Sequence, residues 1–300
     1  MKGARQSIMK CVSRFRNAHS EALSSSTVMS LILLRLATAL YSIGLLHSFL
    51  TIIKRQKTLF RIAMFGICSG FVAHFLSILS AWIELKHLPI SNLHEVLSFF
   101  AFVIVLAFLL SYARYRMDSL SVFIFPLVFI LTLGANLVHA QRTMRPEVLK
   151  SLWLYIHVPT TFLGYAALFV AFAVGIMYLI QEKELKRKRP QAFYYRLPSL
   201  EVCDELGYRA LGIGFSLLTI GIVAGAFWAS RSLTTSWERD PKIIWSYVTW
   251  LIYAVLLHYR LSAGWRGRRA AWLSVIGFII VLAAFFGTRH QGSAHTFILQ

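Results

Sequence analysis

The residues in this chain best suited to chemistry are histidines and tryptophans gathered about one short polar loop. The loop runs from Ser230 to Lys242 between two apolar stretches. It holds Trp237, Asp240 and Pro241, with Trp228 and Trp245 at its margins. His157, in LWLYIHVPTTFLGY, opens one apolar run, and His295, in RHQGSAHTF, follows the last one. Two imidazoles on one side of a membrane could serve as the two axial ligands of a haem iron. Several indoles could supply the flat apolar platform that a porphyrin needs. A plainer reading fits the same residues. Trp favours a membrane–water interface, because its ring is apolar and its N–H wants a polar partner. A single His at the end of a span is commonly an ordinary interfacial residue. Asp240-Pro241 also has a structural explanation, since Asp caps free helix N–H groups and Pro fits a first turn. Arg231, Arg239 and Lys242 make the loop positive, suited either to propionates or to lipid headgroups.

The elements that must position these groups are membrane helices. Of the 300 residues, 57% are hydrophobic, and mean hydropathy is +0.64. Continuous apolar runs reach the roughly 20 residues a helix needs to cross a bilayer, and their continuity argues against a β-barrel. The expected fold is therefore all-α and polytopic, with about eight spans near 30–53, 62–83, 95–112, 119–139, 154–180, 210–229, 243–259 and 271–288. Basic residues set the orientation. The loops after spans one, three, five and seven carry 17 Lys and Arg, from Lys54 to Arg269, against eight in the opposite loops and C-terminal tail. By the positive-inside rule the first set is cytoplasmic, so both termini and the Trp-rich loop are expected outside a cytoplasmic membrane. The segment Leu197 to Tyr208 reads as a short amphipathic surface helix.

That topology sorts the remaining histidines. His47 and His258 fall near the cytoplasmic ends of spans one and seven. At 1.5 Å per residue His258 lies roughly 25 Å below Pro241, too far to share a ligand with His157 and His295. His47 and His258 could together hold a second, inner haem, or each could simply snorkel to the interface. His74 sits near the middle of span two with no evident partner. His87, His94, His139 and His290 fall on the outer side and receive no role.

Other classes are disfavoured. The net charge of +19 follows from cytoplasmic loops rather than from a soluble basic domain, so nucleic acid is not an expected partner. Cys11, Cys68 and Cys203 are far apart, with no Cys-x-x-Cys for thiol redox chemistry and no Cys-x-x-Cys-His for covalent haem attachment. No phosphate-binding Walker loop points to an ATP-driven pump. The absence of an internal repeat argues against a secondary transporter. Residues 1–28 are basic, acid-poor and Ser-rich. They read either as a targeting or surface extension or as a mis-assigned start upstream of Met29, and their charge opposes the orientation the loops give. Residues 29–300 then form one membrane domain.

Four passages resemble the haem-handling membrane family that includes the CcsA/ResC cytochrome c assembly proteins, CcmC and the HemX proteins. LPISNLHEVLSF resembles an outer loop of the family, with His94 where a Tyr is usual. LWLYIHVPTTFLGYAAL resembles the span bearing its first external haem-ligating His, here His157. TSWERDPKIIWSYVTWLIYAVLLHYR resembles the tryptophan-rich motif and a span with a membrane-embedded His, here His258. GWRGRRAAWLSVIGFIIVLAAFFG with the tail to His295 resembles the last span and second external His. The motif is thinned: Ser-Leu-Thr-Thr replaces its first part, and Arg239 and Ile243 stand where Trp and an acidic residue are usual, which brings the chain closer to the HemX-like branch. The resemblance implies non-covalent haem b held outside by His157 and His295, with Trp228 and Trp237 against the macrocycle and Asp240 bracing the loop. It also implies a CcsB/ResB-type membrane partner and apocytochrome c. If the protein is half of a haem lyase, its chemistry is delivery and needs no protein nucleophile. The competing expectation is a HemX-like accessory that binds haem or regulates glutamyl-tRNA reductase without catalysis.

Overall fold

The computed structural model describes residues 2–54, 56–138, 150–187, 196–232 and 241–287; within these, the side chains of 2–27, 57, 241–242 and 284–287 are not described. Among the described residues every regular element is a helix. They are α1 (Lys2–Lys54), α2 (Lys57–Leu85), α3 (Leu93–Tyr115), α4 (Leu120–Leu137), α5 (Leu152–Leu185), α6 (Leu200–Ser232), α7 (Pro241–Ser262) and α8 (Arg268–Gly287). Each coincides with one expected span, and α4 and α8 differ from theirs, 119–139 and 271–288, by one or two residues at an end. Six of them, α1 from Val28 and α2 to α6, combine the length and hydropathy of a membrane crossing. The chain is thus an all-α polytopic membrane protein. α7 and α8 occupy the positions of the last two expected spans but are not among the six. α7 is rich in Trp, Tyr, Ser and Thr, which lower its hydropathy without removing its apolar character.

Two departures from the expected elements have one cause. α5 and α6 have 34 and 33 residues, about 50 Å of helix each against a hydrocarbon core of about 30 Å. Their ends extend past any bilayer core as continuous helix. Leu200 to Tyr208 is therefore the first two turns of α6 and not a separate surface helix.

α3 starts with a reciprocal cap. Asn92 Oδ1 accepts from the Glu95 N–H at 2.9 Å, and the Glu95 carboxylate accepts from the Ser91 N–H at 2.6 Å. α2 and α3 end on left-handed residues, Lys86 and Arg116. One end of the bundle gathers the basic connections. Arg196 Nη2 donates to the Ile53 carbonyl at 3.0 Å, and Tyr115 Oη donates to Glu205 Oε1 at 3.4 Å.

The helices form two packed halves. α1 packs on α2 and α4, and α3 on α4. α5 packs most extensively on α6 and also on α8. α3 and α5 join the halves through Phe99 and Phe100 against Phe162. The first half encloses a polar centre. His74 is fully buried, with Nε2 2.9 Å from Ser98 Oγ and Nδ1 3.4 Å from Tyr41 Oη. The residue for which sequence offered no partner has one on each of two neighbouring helices, which satisfies a buried polar ring.

Candidate functional site

His157 lies in the second turn of α5, half-buried against α6. Its Nδ1 is 2.6 Å from the Gly221 carbonyl oxygen. A carbonyl only accepts, so Nδ1 must carry the proton, and in the neutral ring Nε2 then bears the lone pair that ligates metals. Gly225, one turn further along α6, makes room for the ring. A methyl group built there would lie 2.6 Å from His157 Nδ1 and Cε1. Gly221 and Gly225 thus form a notch in α6 that seats the imidazole edge. Thr161 Oγ1, one turn along α5, lies 3.5 Å from the same nitrogen. Fixing one imidazole nitrogen on a carbonyl is how protein sites orient a ligating His.

The seat is part of a wider interface without bulk. A methyl built on Gly164 would meet the Leu218 amide nitrogen at 3.0 Å, and one on Gly214 would meet Leu168 at 2.8 Å. Small residues let α5 and α6 approach closely, the usual basis of helix association in lipid.

Aromatic rings collect beside the His157 seat. Trp153, one turn before His157, stacks on Phe227 of α6 with centroids 4.7 Å apart and planes 22° from parallel. The Arg231 guanidinium lies 5.8 Å from the Trp153 ring centre. Trp228 is 5% exposed and belongs to the core of the bundle, not to a surface belt. His157, Trp228 and Arg231 therefore occupy the same end of the α5–α6 pair. Trp237, Asp240 and His295 lie outside the described residues. α7 begins at Pro241, as a first-turn proline allows.

Sequence reasoning missed Trp153, Phe227, Gly221 and Gly225. The glycines carried a usable signal, a spacing of four within one span. Trp153 and Phe227 carried none, because nothing in the chain said which faces of α5 and α6 meet.

His47 and His258 occupy different halves. His47 on α1 donates from Nδ1 to the Ile43 carbonyl of its own helix at 3.0 Å. His258 is exposed on α7, its Nδ1 3.3 Å from Ser262 Oγ. It extends an outward stripe of Ile244, Tyr247, Leu251 and Val255. The extensive packing of α1 is with α2 and α4, and α7 contacts α6 and α8. His94 donates from Nδ1 to the Ala135 carbonyl at 2.6 Å and ties α3 to α4.

Known proteins resemble this chain in sequence. The family model described as cytochrome C assembly protein matches residues 90–295. A cytochrome c biogenesis protein CcsA of Guillardia theta is 31% identical over 260 residues, covering 80% of this chain and 86% of the relative. One of Microcystis aeruginosa is 34% identical over 259 residues, covering 70% and 79%. One of Prochlorococcus marinus is 32% identical over 240 residues, covering 72% and 78%. The matched region runs from the α3 cap through the His157 seat to His295, and the chain belongs to the cytochrome c assembly protein family.

Proposed function

We propose that this protein holds haem b non-covalently at the outer face of a cytoplasmic membrane and presents it to apocytochrome c. The observation that carries this reading is the His157 seat. With Nδ1 hydrogen-bonded to the Gly221 carbonyl, the neutral ring carries its lone pair on Nε2, the nitrogen proposed to ligate the iron. His295 is the proposed second axial ligand. Trp228 and Trp237 are the proposed apolar contacts of the macrocycle, and Asp240 is the proposed cap of α7 that braces the loop. Haem is cargo here, and its vinyl groups and the apocytochrome thiols supply the reactivity. The protein binds, orients and shields. Arg231 adds positive charge beside the seat, suited to a propionate.

The proposed orientation rests on the basic connections. The basic connections share the end opposite His157, which supports a cytoplasmic position for that end. His47 and His258 are proposed as ligand positions for a second haem nearer that end, and a CcsB/ResB-type protein is the proposed membrane partner. Residues 29–300 are the proposed assembly domain. One observation favours the accessory reading instead: the thinned motif, in which Arg239 and Ile243 replace the usual Trp and acidic residue.

The test is an oxidised and reduced absorption spectrum of the detergent-purified protein, beside His157→Ala and His295→Ala. A low-spin bis-histidine spectrum is expected, and both variants should lose the outer-haem part of it. A spectrum unchanged in both would remove the outer site. A protein that takes up no added haem would leave the accessory role as the better account.

A further inference from the structure

α7 carries His258 but is lightly anchored, packing on α6 and α8 far less than α5 packs on α6. Among the described residues, two polar ties join it to α6. Near its middle, Trp250 Nε1 donates to Thr219 Oγ1 of α6 at 2.9 Å. At its end, Arg260 meets Asp204 in the second turn of α6. Arg260 Nη1 donates to Asp204 Oδ1 at 2.8 Å and Nη2 to Oδ2 at 2.7 Å, a bidentate pair. Nη2 also reaches the Asp204 main-chain carbonyl at 3.1 Å. The Gly267 N–H, in the turn into α8, donates to Asp204 Oδ1 at 2.8 Å. The Arg260 guanidinium lies 5.0 Å from the Tyr208 ring centre, again on α6. The Arg260 side chain is only 9% exposed and that of Asp204 21%. One carboxylate therefore fixes three things together: the end of α7, the turn that follows it, and the second turn of α6. Gly267 can serve that turn because it takes a φ of 66°, in the left-handed region.

Helix geometry links this clamp to His258. Residues two apart on a helix point about 200° from each other. With Arg260 drawn onto α6, His258 must face nearly the opposite way, and it is exposed there beside Val255 and Leu251. We propose that Asp204 and Arg260 are positioning residues that set the rotation of α7 and thereby present His258 outward for ligation. This rests on the reading that His258 is a haem ligand.

The test joins a distance to a spectrum. Spin labels are placed at Val255→Cys on α7 and Ile213→Cys on α6, both on exposed side chains, with Cys11 and Cys68 changed to Ser. Pulsed electron resonance then measures the α6–α7 separation in the full-length protein with Asp204 intact, Asp204→Asn or Asp204→Glu. Haem spectra of the unlabelled wild type, Asp204→Asn, Asp204→Glu, Arg260→Lys and His258→Ala complete the set. Asp204→Asn should shift or broaden the distance distribution and weaken the His258-dependent haem about 10-fold, the scale of losing a partner that orients a metal ligand. Asp204→Glu should restore most of both, and Arg260→Lys, which loses the fork, should fall between. Unchanged distances overturn the clamp. A His258→Ala spectrum that differs from wild type while Asp204→Asn does not also overturns it. A His258→Ala spectrum identical to wild type overturns the ligand reading itself, and the positioning role with it.

Discussion

Two of the histidines proposed as ligands, His157 and His258, are held in opposite ways. His157 is wedged between two helices. Its ring lies against Gly225, its Nδ1 is bonded to the Gly221 carbonyl, and α5 and α6 approach so closely that side chains larger than glycine would collide. His258 stands on the outward face of a lightly packed helix whose rotation is set by an ion pair two residues away. The first position is fixed by contact and the second by leverage. Close packing resists change because any added volume must displace backbone or ring. A polar clamp resists only while both partners remain charged and aligned.

The contrast can be broken from either side. The largest effect is expected for Gly225→Ala. The new methyl would meet the imidazole at 2.6 Å, so His157-dependent haem binding should fall at least about 10-fold and stability by about 1–3 kcal/mol from overpacking. Spectral titration and a detergent unfolding curve measure the two. Next comes Asp204→Ala. Removing one partner of a buried pair costs about 3–5 kcal/mol, and the exposed fifth of the Asp204 side chain should reduce that to about 2. Hydrogen exchange should quicken in α7 and at its turn while α5 keeps its protection; uniform quickening would mean that α7 is not separately anchored. Thr219→Val removes the acceptor for Trp250 and should cost about 0.6 kcal/mol, the usual size of a hydrogen bond between membrane helices. It should loosen α7 alone. The smallest effect is expected for Thr161→Val, whose contact with His157 is a long 3.5 Å. The outer haem spectrum should be unchanged, because Gly221 alone suffices to hold Nδ1.

Much of the fold was legible because apolar length is a local property. Each expected span overlaps one helix to within a few residues, and Pro241 begins a helix as its chemistry suggests. The misreading of Leu197 to Tyr208 has an equally plain cause. Polar turns within a helix look in sequence like a separate element, whereas α6, at 33 residues, is longer than a bilayer core requires. Family membership was legible too, since LWLYIHVPTTFLGY and the region around Trp237 are contiguous strings. His157 was picked out by type and place. What seats it was not, because Gly221 is 64 positions away and no pattern within α5 points to it. His74 shows the same limit: its partners, Tyr41 and Ser98, lie on two other helices.

By itself the sequence determined that the chain is a bundle of membrane helices, which residues interrupt them, and which family they resemble. Hydropathy, helix caps and motifs act over a few neighbouring residues and need no partner. Only the tertiary structure decided which nitrogen of His157 carries its proton, that Trp228 turns into the core, and that Asp204 reaches across 56 positions to Arg260. Those facts depend on which faces of distant helices meet. Lipid is nearly as apolar as the side chains themselves, so burial alone does not choose the faces; glycine-sized gaps and a few polar pairs do.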